Sequence, residues 1–200
     1  MSSLLLLRHG QIKANLQGLW HGSTDSRLTW RGRRQASRTA RHISRLNPRL
    51  SAIYTSPLGR CVETAAKISK RLNIDPVVND DLREYSIGEW EGLPFRLLAE
   101  EYDFVNKSTQ NPDFAPPGGE SLAQVAARMV PALQEIHTRH ENDNQVLIVC
   151  HGAATAVALG SLIDGDPRHW INYQLANCGL TELVLSPSPY VNFFNSIHHL

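Results

Sequence analysis

The hydrophobic pattern alternates between short apolar runs and longer stretches of helical period. Leu4–Leu7 is a continuous apolar run of the kind that forms a strand buried on both faces, and it runs straight into Arg8-His9-Gly10. Thr29 to Leu46 reads as a helix: Thr29 is a natural N-cap, and Ala36, Ala40 and Ile43 share one face. Asn47-Pro48 ends it. Ala52–Thr55 predicts a second strand, ending at Ser56-Pro57. Gly59 to Leu72 predicts a second helix, and Pro76–Asn79 a weaker strand.

The middle of the chain is less regular. Asp80 through Gly92 reads as a loop rich in acid and glycine, and Pro94 to about Tyr102 as a short helix. Asn106 to Gly119 is polar and rich in proline and glycine, which predicts a loop. Ser121 opens a long helix to about His140, with Leu122, Val125, Met129, Leu133 and Ile136 on one side. Pro131 lies inside it and should kink or split it. Val146–Cys150 is the cleanest buried strand, followed, like the first, by His-Gly. A small helix from Ala153 to Leu162 and strands at Thr181–Leu185 and Val191–Ile197 complete the pattern.

Strands alternating with helices predict an α/β fold, a mostly parallel sheet covered on both faces. The whole chain, residues 1–200, reads as one domain. The irregular piece from about 93 to 117 looks inserted and is a candidate cap, since long loops inside compact domains are commonly functional.

Composition narrows the function. The formal net charge of +1 offers no global footprint for nucleic acid or an anionic membrane, so neither is expected as a partner. Any phosphate-binding charge must be local. The three cysteines, Cys61, Cys150 and Cys178, have no metal-ligand spacing and fit buried free thiols in a reducing compartment. Leu4–Leu7 is far too short for a signal sequence or a span, which points to a cytoplasmic protein.

Ligands of open α/β sheets bind beyond the carboxyl ends of the strands. Arg8 and His9 follow the first strand, Arg60 follows the second, Glu84 lies in the loop after the third, and His151 follows Val146–Cys150. The set suits a phosphate ester. Guanidinium groups grip non-bridging oxygens, and they keep a neighbouring imidazole neutral and nucleophilic. A hydrogen bond from the other ring nitrogen to a backbone carbonyl would fix the tautomer. His151 can donate to oxygens as charge spreads over them, and Glu84 can protonate the leaving alkoxide. Each residue alone has a bland reading as surface or core; two His-Gly pairs at strand ends are hard to explain as packing.

Leu-Leu-Arg-His-Gly-Gln at 6–11 resembles the signature of the histidine phosphatase superfamily, the phosphoglycerate-mutase-like proteins. The match continues through Asn15, His21-Gly22, Ser56-Pro57-Leu58-Gly59-Arg60, Leu82-Arg83-Glu84, Gly88-Glu89-Trp90-Glu91-Gly92, Pro117-Gly118-Gly119-Glu120-Ser121 and Val149-Cys150-His151-Gly152. The resemblance implies a three-layer α/β/α sandwich that needs neither metal nor other cofactor. It implies His9 as the phosphorylated nucleophile and Glu84 as the acid/base, with Arg8, Arg60 and His151 completing the catalytic pocket. Gln11, Asn15, His21, Gly22 and Gly152 are the matching candidates for substrate binding. Ile12 and His21 depart from the pattern, which usually has Thr and Gln there, so the leaving group is left open. The short cap region and the Glu84–Gly92 loop resemble the phosphatase branch. The implied substrate is a small phosphorylated metabolite, with Tyr102, Phe104, Lys107 and Phe114 as candidate lining residues. A phosphoglycerate mutase and a non-catalytic phosphate-ester binder are the alternatives. The oligomeric state is open, with a homodimer as the candidate.

Overall fold

A computed structural model describes residues 2–46, 50–141 and 145–200. The expected helix stop at Asn47-Pro48 lies outside them. Six strands form one sheet: β1 (Ser3–Arg8), β2 (Leu50–Thr55), β3 (Pro76–Val78), β4 (Gln145–Cys150), β5 (Leu180–Val184) and β6 (Tyr190–Ser196), in the order β3-β2-β4-β1-β5-β6. The pairs β1–β4, β2–β4 and β2–β3 are parallel. Pairs β1–β5 and β5–β6 are antiparallel, so the sheet is mixed at one edge. A short link joins β5 to β6, and a link of that length permits only antiparallel pairing.

The apolar run of β1 is divided between two cores by the period-2 geometry of a strand. Leu4 and Leu6 point into one, with Val146 and Ile148 of β4. That side is covered by α6 (Leu122–Arg139) and α7 (Ala153–Ile163). Leu5 and Leu7 point into the other, with Leu147 and Val149, beneath α2 (Trp30–Leu46) and α3 (Gly59–Leu72). The result is the expected three-layer sandwich. Thr29 caps α2 by accepting from the Gly32 N–H at 3.0 Å. Ser121 and Gln124 form a reciprocal capping box on α6.

Two expectations need correction. First, α6 runs unbroken through Pro131 rather than splitting. The proline removes one interior hydrogen bond, while Val125, Met129, Ala132, Leu133 and Ile136 bury the same face on both sides of it. Second, the stretch read as loop from residue 106 begins inside a helix, α5 (Phe104–Gln110), which follows α4 (Phe95–Glu100). Phe104 and Ser108, four residues apart, anchor α5 by burial. Trp20, Trp90 and Trp170 gather around Phe104, at centroid distances of 5.6, 6.1 and 6.3 Å, leaving only Trp30 exposed on α2. Cys61, Cys150 and Cys178 are free and buried, as read. No helix among the described residues is long and apolar enough to cross a membrane.

Candidate active site

The order β1–β4–β2 brings three strand ends together. The His9 N–H donates to the Cys150 carbonyl at 3.0 Å, and the Ser56 N–H to the Val149 carbonyl at 3.0 Å. His9, His151 and Ser56 are therefore neighbours at one sheet edge. The rings of His9 and His151 meet edge to face, 5.3 Å between centroids. Gly10 lets the chain pass close to α2: a Cβ there would stand 2.6 Å from the Gly32 carbonyl oxygen.

His9 is almost wholly buried yet lines a cavity of about 570 Å³. Its Nδ1 lies 2.8 Å from the Gly10 carbonyl oxygen, which can only accept. The proton is thereby assigned to Nδ1, and Nε2 keeps its lone pair. Burial, then the charges of Arg8 and Arg60, hold the ring well below the usual imidazole range, against a smaller opposing effect of the Gly10 bond. His9 is a neutral imidazole with its basic nitrogen unprotonated.

Arg8 lies on the same wall. One of its terminal nitrogens donates to the Leu175 carbonyl, and its buried Nε has no partner among the described residues. Gly152 approaches it closely: a Cβ there would be 3.2 Å from that Nε. An unpartnered buried guanidinium N–H is costly, and an anion would satisfy it.

Glu84 sits between two single turns of 3₁₀ helix, Asp80–Leu82 and Gly88–Trp90. Its carboxylate accepts the N–H of Tyr85 (2.9 Å), Gly152 (3.0 Å), Ala153 (3.3 Å) and Ala154 (2.7 Å). It thus caps α7, whose first N–H groups have no intrahelical partner. Glu84 and Gly152 both line the cavity.

Arg60 and His151 are fully buried and do not reach the cavity wall. Arg60 donates through Nε to His151 Nδ1 (3.3 Å) and through its terminal nitrogens to the carbonyls of Thr24 (2.7 Å), Gly22 (2.8 Å) and His21 (3.2 Å). Most of its five N–H groups therefore hold the loop at residues 21–24. His151 accepts from Arg60, so its proton is on Nε2, which meets Ser56 Oγ at 2.7 Å. Burial and then the Arg60 charge keep His151 well below the usual imidazole range.

The remaining candidates separate. Asn15, in α1 (Lys13–Gln17), lines the cavity; its Oδ1 accepts from the Ile12 N–H (3.1 Å) and Asn177 Nδ2 (3.0 Å). His21 lines the cavity too. Gly22 serves through its backbone: a Cβ there would lie 2.3 Å from the Tyr85 oxygen. Gln11 does not line the cavity, because its side chain is bonded to Thr29 Oγ1 (3.1 Å) at the start of α2. The cap residues also differ from expectation. Phe95 and Val105 line the cavity. Phe104 is core, Tyr102 packs on Trp90, and Lys107 lies over Phe114.

Two contributors escaped the sequence reading. Asn177 Nδ2 donates to the His9 carbonyl (3.2 Å) as well as to Asn15. Glu91 accepts the N–H of Ser23 (2.6 Å) and Thr24 (2.7 Å), holding the same loop that Arg60 holds. The Gly-Glu-Trp-Glu-Gly motif was the available signal for Glu91; Asn177 gave none beyond its place before a strand.

The arrangement defines a class: an α/β/α sandwich presenting an imidazole, a guanidinium group and a carboxylate at one sheet edge, a donor set suited to phosphate. Comparison specifies it further. The family profile of the histidine phosphatase superfamily (branch 1) matches residues 4–192, and the chain belongs to that family. It is 34% identical over 168 residues to the uncharacterized phosphatase PhoE of Bacillus subtilis, covering 84% of this chain and 81% of that protein. It is 31% identical over 200 residues to the bifunctional protein Rv2228c of Mycobacterium tuberculosis, covering 98% of this chain but spanning only 54% of that protein. Among solved structures, a phosphoserine phosphatase from Entamoeba histolytica in complex with 3-phosphoglyceric acid superimposes with a TM-score of 0.89, at 30% identity and complete coverage of both chains.

Proposed function

We propose that the protein hydrolyses a small phosphate monoester through a phosphohistidine at His9, without a metal. One observation carries the reading: a neutral imidazole, locked by Gly10, stands on the cavity wall beside the unpartnered Nε of Arg8. Nε2 attacks phosphorus in line, and the bond from phosphorus to the leaving oxygen breaks. Glu84, carrying a proton taken from the monoanionic ester or from solvent, gives it to that oxygen. Water then attacks the phosphohistidine, and the Glu84 carboxylate takes its proton. Inorganic phosphate leaves, and His9 returns neutral with its proton still on Nδ1. Arg8 supplies N–H groups to the phosphoryl oxygens. Arg60 and His151 act from behind His9: Arg60 by its charge and by holding the loop at 21–24, His151 by seating the ring. Asn15, His21 and Gly152 shape the rest of the pocket; Gly22 contributes through its backbone, against Tyr85 and Arg60, and Gln11 only through the α2 junction. The names of the relatives, a phosphatase in one case and a phosphoserine phosphatase in another, support hydrolysis over phosphoglycerate mutation.

The test is direct. The wild-type chain should release inorganic phosphate from p-nitrophenyl phosphate and form an acid-labile phosphoenzyme. His9→Ala should lose both, with its melting temperature changed by only a few degrees. Hydrolysis by His9→Ala, or rapid interconversion of 2- and 3-phosphoglycerate by the wild type, would sink the proposal.

A further inference from the structure

We infer that the preferred substrate is a phosphate monoester whose leaving alcohol is uncharged and carries an aromatic or similarly flat apolar group. The inference rests on the reading of His9 as phosphoryl acceptor. It follows from what lines the rest of the cavity. His9, Arg8 and Glu84 mark the phosphate end. The remaining wall is built largely from Trp20, Phe95, Val105, Trp170 and Ile171.

Charge is the first argument. Among the described residues, Arg8 and Glu84 are the only Arg, Lys, Asp or Glu side chains on the wall. Arg8 is already engaged with the Leu175 carbonyl and stands at the phosphate end. Of the cations on nearby elements, Lys107 is held by the Tyr102 carbonyl at 3.0 Å and Arg168 by the Asp166 carboxylate, while Lys13 of α1 is exposed and not on the wall. His21 is biased to its neutral form by partial burial and then by the Arg60 charge. A carboxylate on the leaving group, as in phosphoserine or 3-phosphoglycerate, would therefore enter a largely apolar wall whose polar groups beyond the phosphate end are neutral, with no cation to meet it. Burying an unpaired charge is strongly unfavourable.

Shape is the second. A cavity of about 570 Å³ has room for a ring beyond the phosphate, whereas a three-carbon acid would leave most of it empty. The aromatic wall is preorganised. Trp20 Nε1 donates to the Tyr85 carbonyl at 3.2 Å, which fixes the indole. Phe95 stacks on it at 5.9 Å with planes 23° apart, and Trp170 meets it edge-on at 6.3 Å. Neutral amides on the wall, Asn15, Gln174 and Asn177, can serve hydroxyl groups without demanding charge.

The experiment compares benzyl phosphate with O-phosphoserine and 3-phosphoglycerate on the purified full chain. All three have poor alcohol leaving groups, so the ratio of kcat/KM values reports recognition. Benzyl phosphate should be favoured about 100-fold. Phe95→Ala should shrink that ratio about 10-fold, since it removes one stacking face. A ratio is insensitive to partial misfolding. Equal or greater kcat/KM for either carboxylated ester, with phosphate still released and the phosphoenzyme still formed, overturns this inference and leaves the hydrolase reading standing. So does an unchanged ratio in Phe95→Ala. Absence of phosphate release and of phosphoenzyme with every ester overturns the hydrolase reading itself, and this inference with it.

Discussion

Glu84→Gln tests whether one carboxylate both caps a helix and moves a proton. The native side chain is 8% exposed and accepts four backbone N–H groups, three of them at the start of α7. Glutamine keeps one acceptor oxygen and turns an NH₂ group toward the N–H groups on the other side. Two buried donors then lack a partner, at about 1–3 kcal/mol each. Loss of negative charge at a helix N-terminus adds about 0.3–2 kcal/mol. Local relaxation of the first turn recovers part of this, for a net loss of about 3–4 kcal/mol. At ~2–4 °C per kcal/mol for a chain of this size, the melting temperature should fall by about 6–16 °C. Differential scanning calorimetry gives that number directly. Kinetics, taken well below the new midpoint, should show a 10²–10⁴-fold drop in kcat for alkyl phosphates and a smaller one for p-nitrophenyl phosphate, which needs less protonation. A melting temperature within about 2 °C of wild type would refute the cap. Equal losses for the two ester types would remove Glu84 from proton transfer.

Three further outcomes are expected. Arg60→Met should cost about 3–5 kcal/mol in urea denaturation, because it strips donors from the carbonyls of His21, Gly22 and Thr24, and it should speed amide exchange at Ser23 and Thr24. His9 and His151 are both held below the usual imidazole range, so below pH about 6.5 the unfolded chain takes up protons that the folded chain refuses. Stability should be full above that pH and fall as pH drops, by about 1.4 kcal/mol per pH unit for each histidine; a flat guanidinium profile from pH 7 to 5 would refute the assignment. Asn177→Ala should lower kcat/KM about 10-fold while costing about 1 kcal/mol of stability, read by steady-state kinetics beside thermal melts, since it frees the Asn15 amide and the His9 carbonyl together.

Much of this was legible because it is periodic or local. The apolar runs 4–7 and 146–150 announced buried strands, and residues following buried parallel strands lie at a common edge. That placed Arg8, His9 and His151 from spacing alone. What escaped was long-range pairing. Nothing near Arg60 announces that its fork serves carbonyls 36 to 39 residues earlier. Nothing near Gln11 announces that Thr29 claims it. The cap was misjudged because polarity was read as irregularity: Phe104 and Ser108 supply a helical anchor too sparse to stand out among Asn106, Lys107 and Thr109. The aromatic cluster was invisible for the same reason, since Trp20, Phe104 and Trp170 have no common period.

The placement of Arg60 bears on the site's electrostatics. A surface arginine aimed at phosphate would have its field on His9 weakened by solvent screening. A fully buried arginine tied to carbonyls and to His151 keeps its charge in place and poorly screened, whether or not an anion is bound. It lowers the basicity of His9 and of His151 alike. Under the proposed mechanism, His9 is thus held in the protonation state that attack requires, and a dianionic ester meets positive charge that needs no reorganisation. The loop at 21–24 is bound to the same guanidinium, so one residue both helps hold the segment carrying His21 to the cavity and adds to the burial and the Arg8 charge that keep His9 neutral. Severing that link should therefore disturb the His21 segment and the protonation of the proposed nucleophile together.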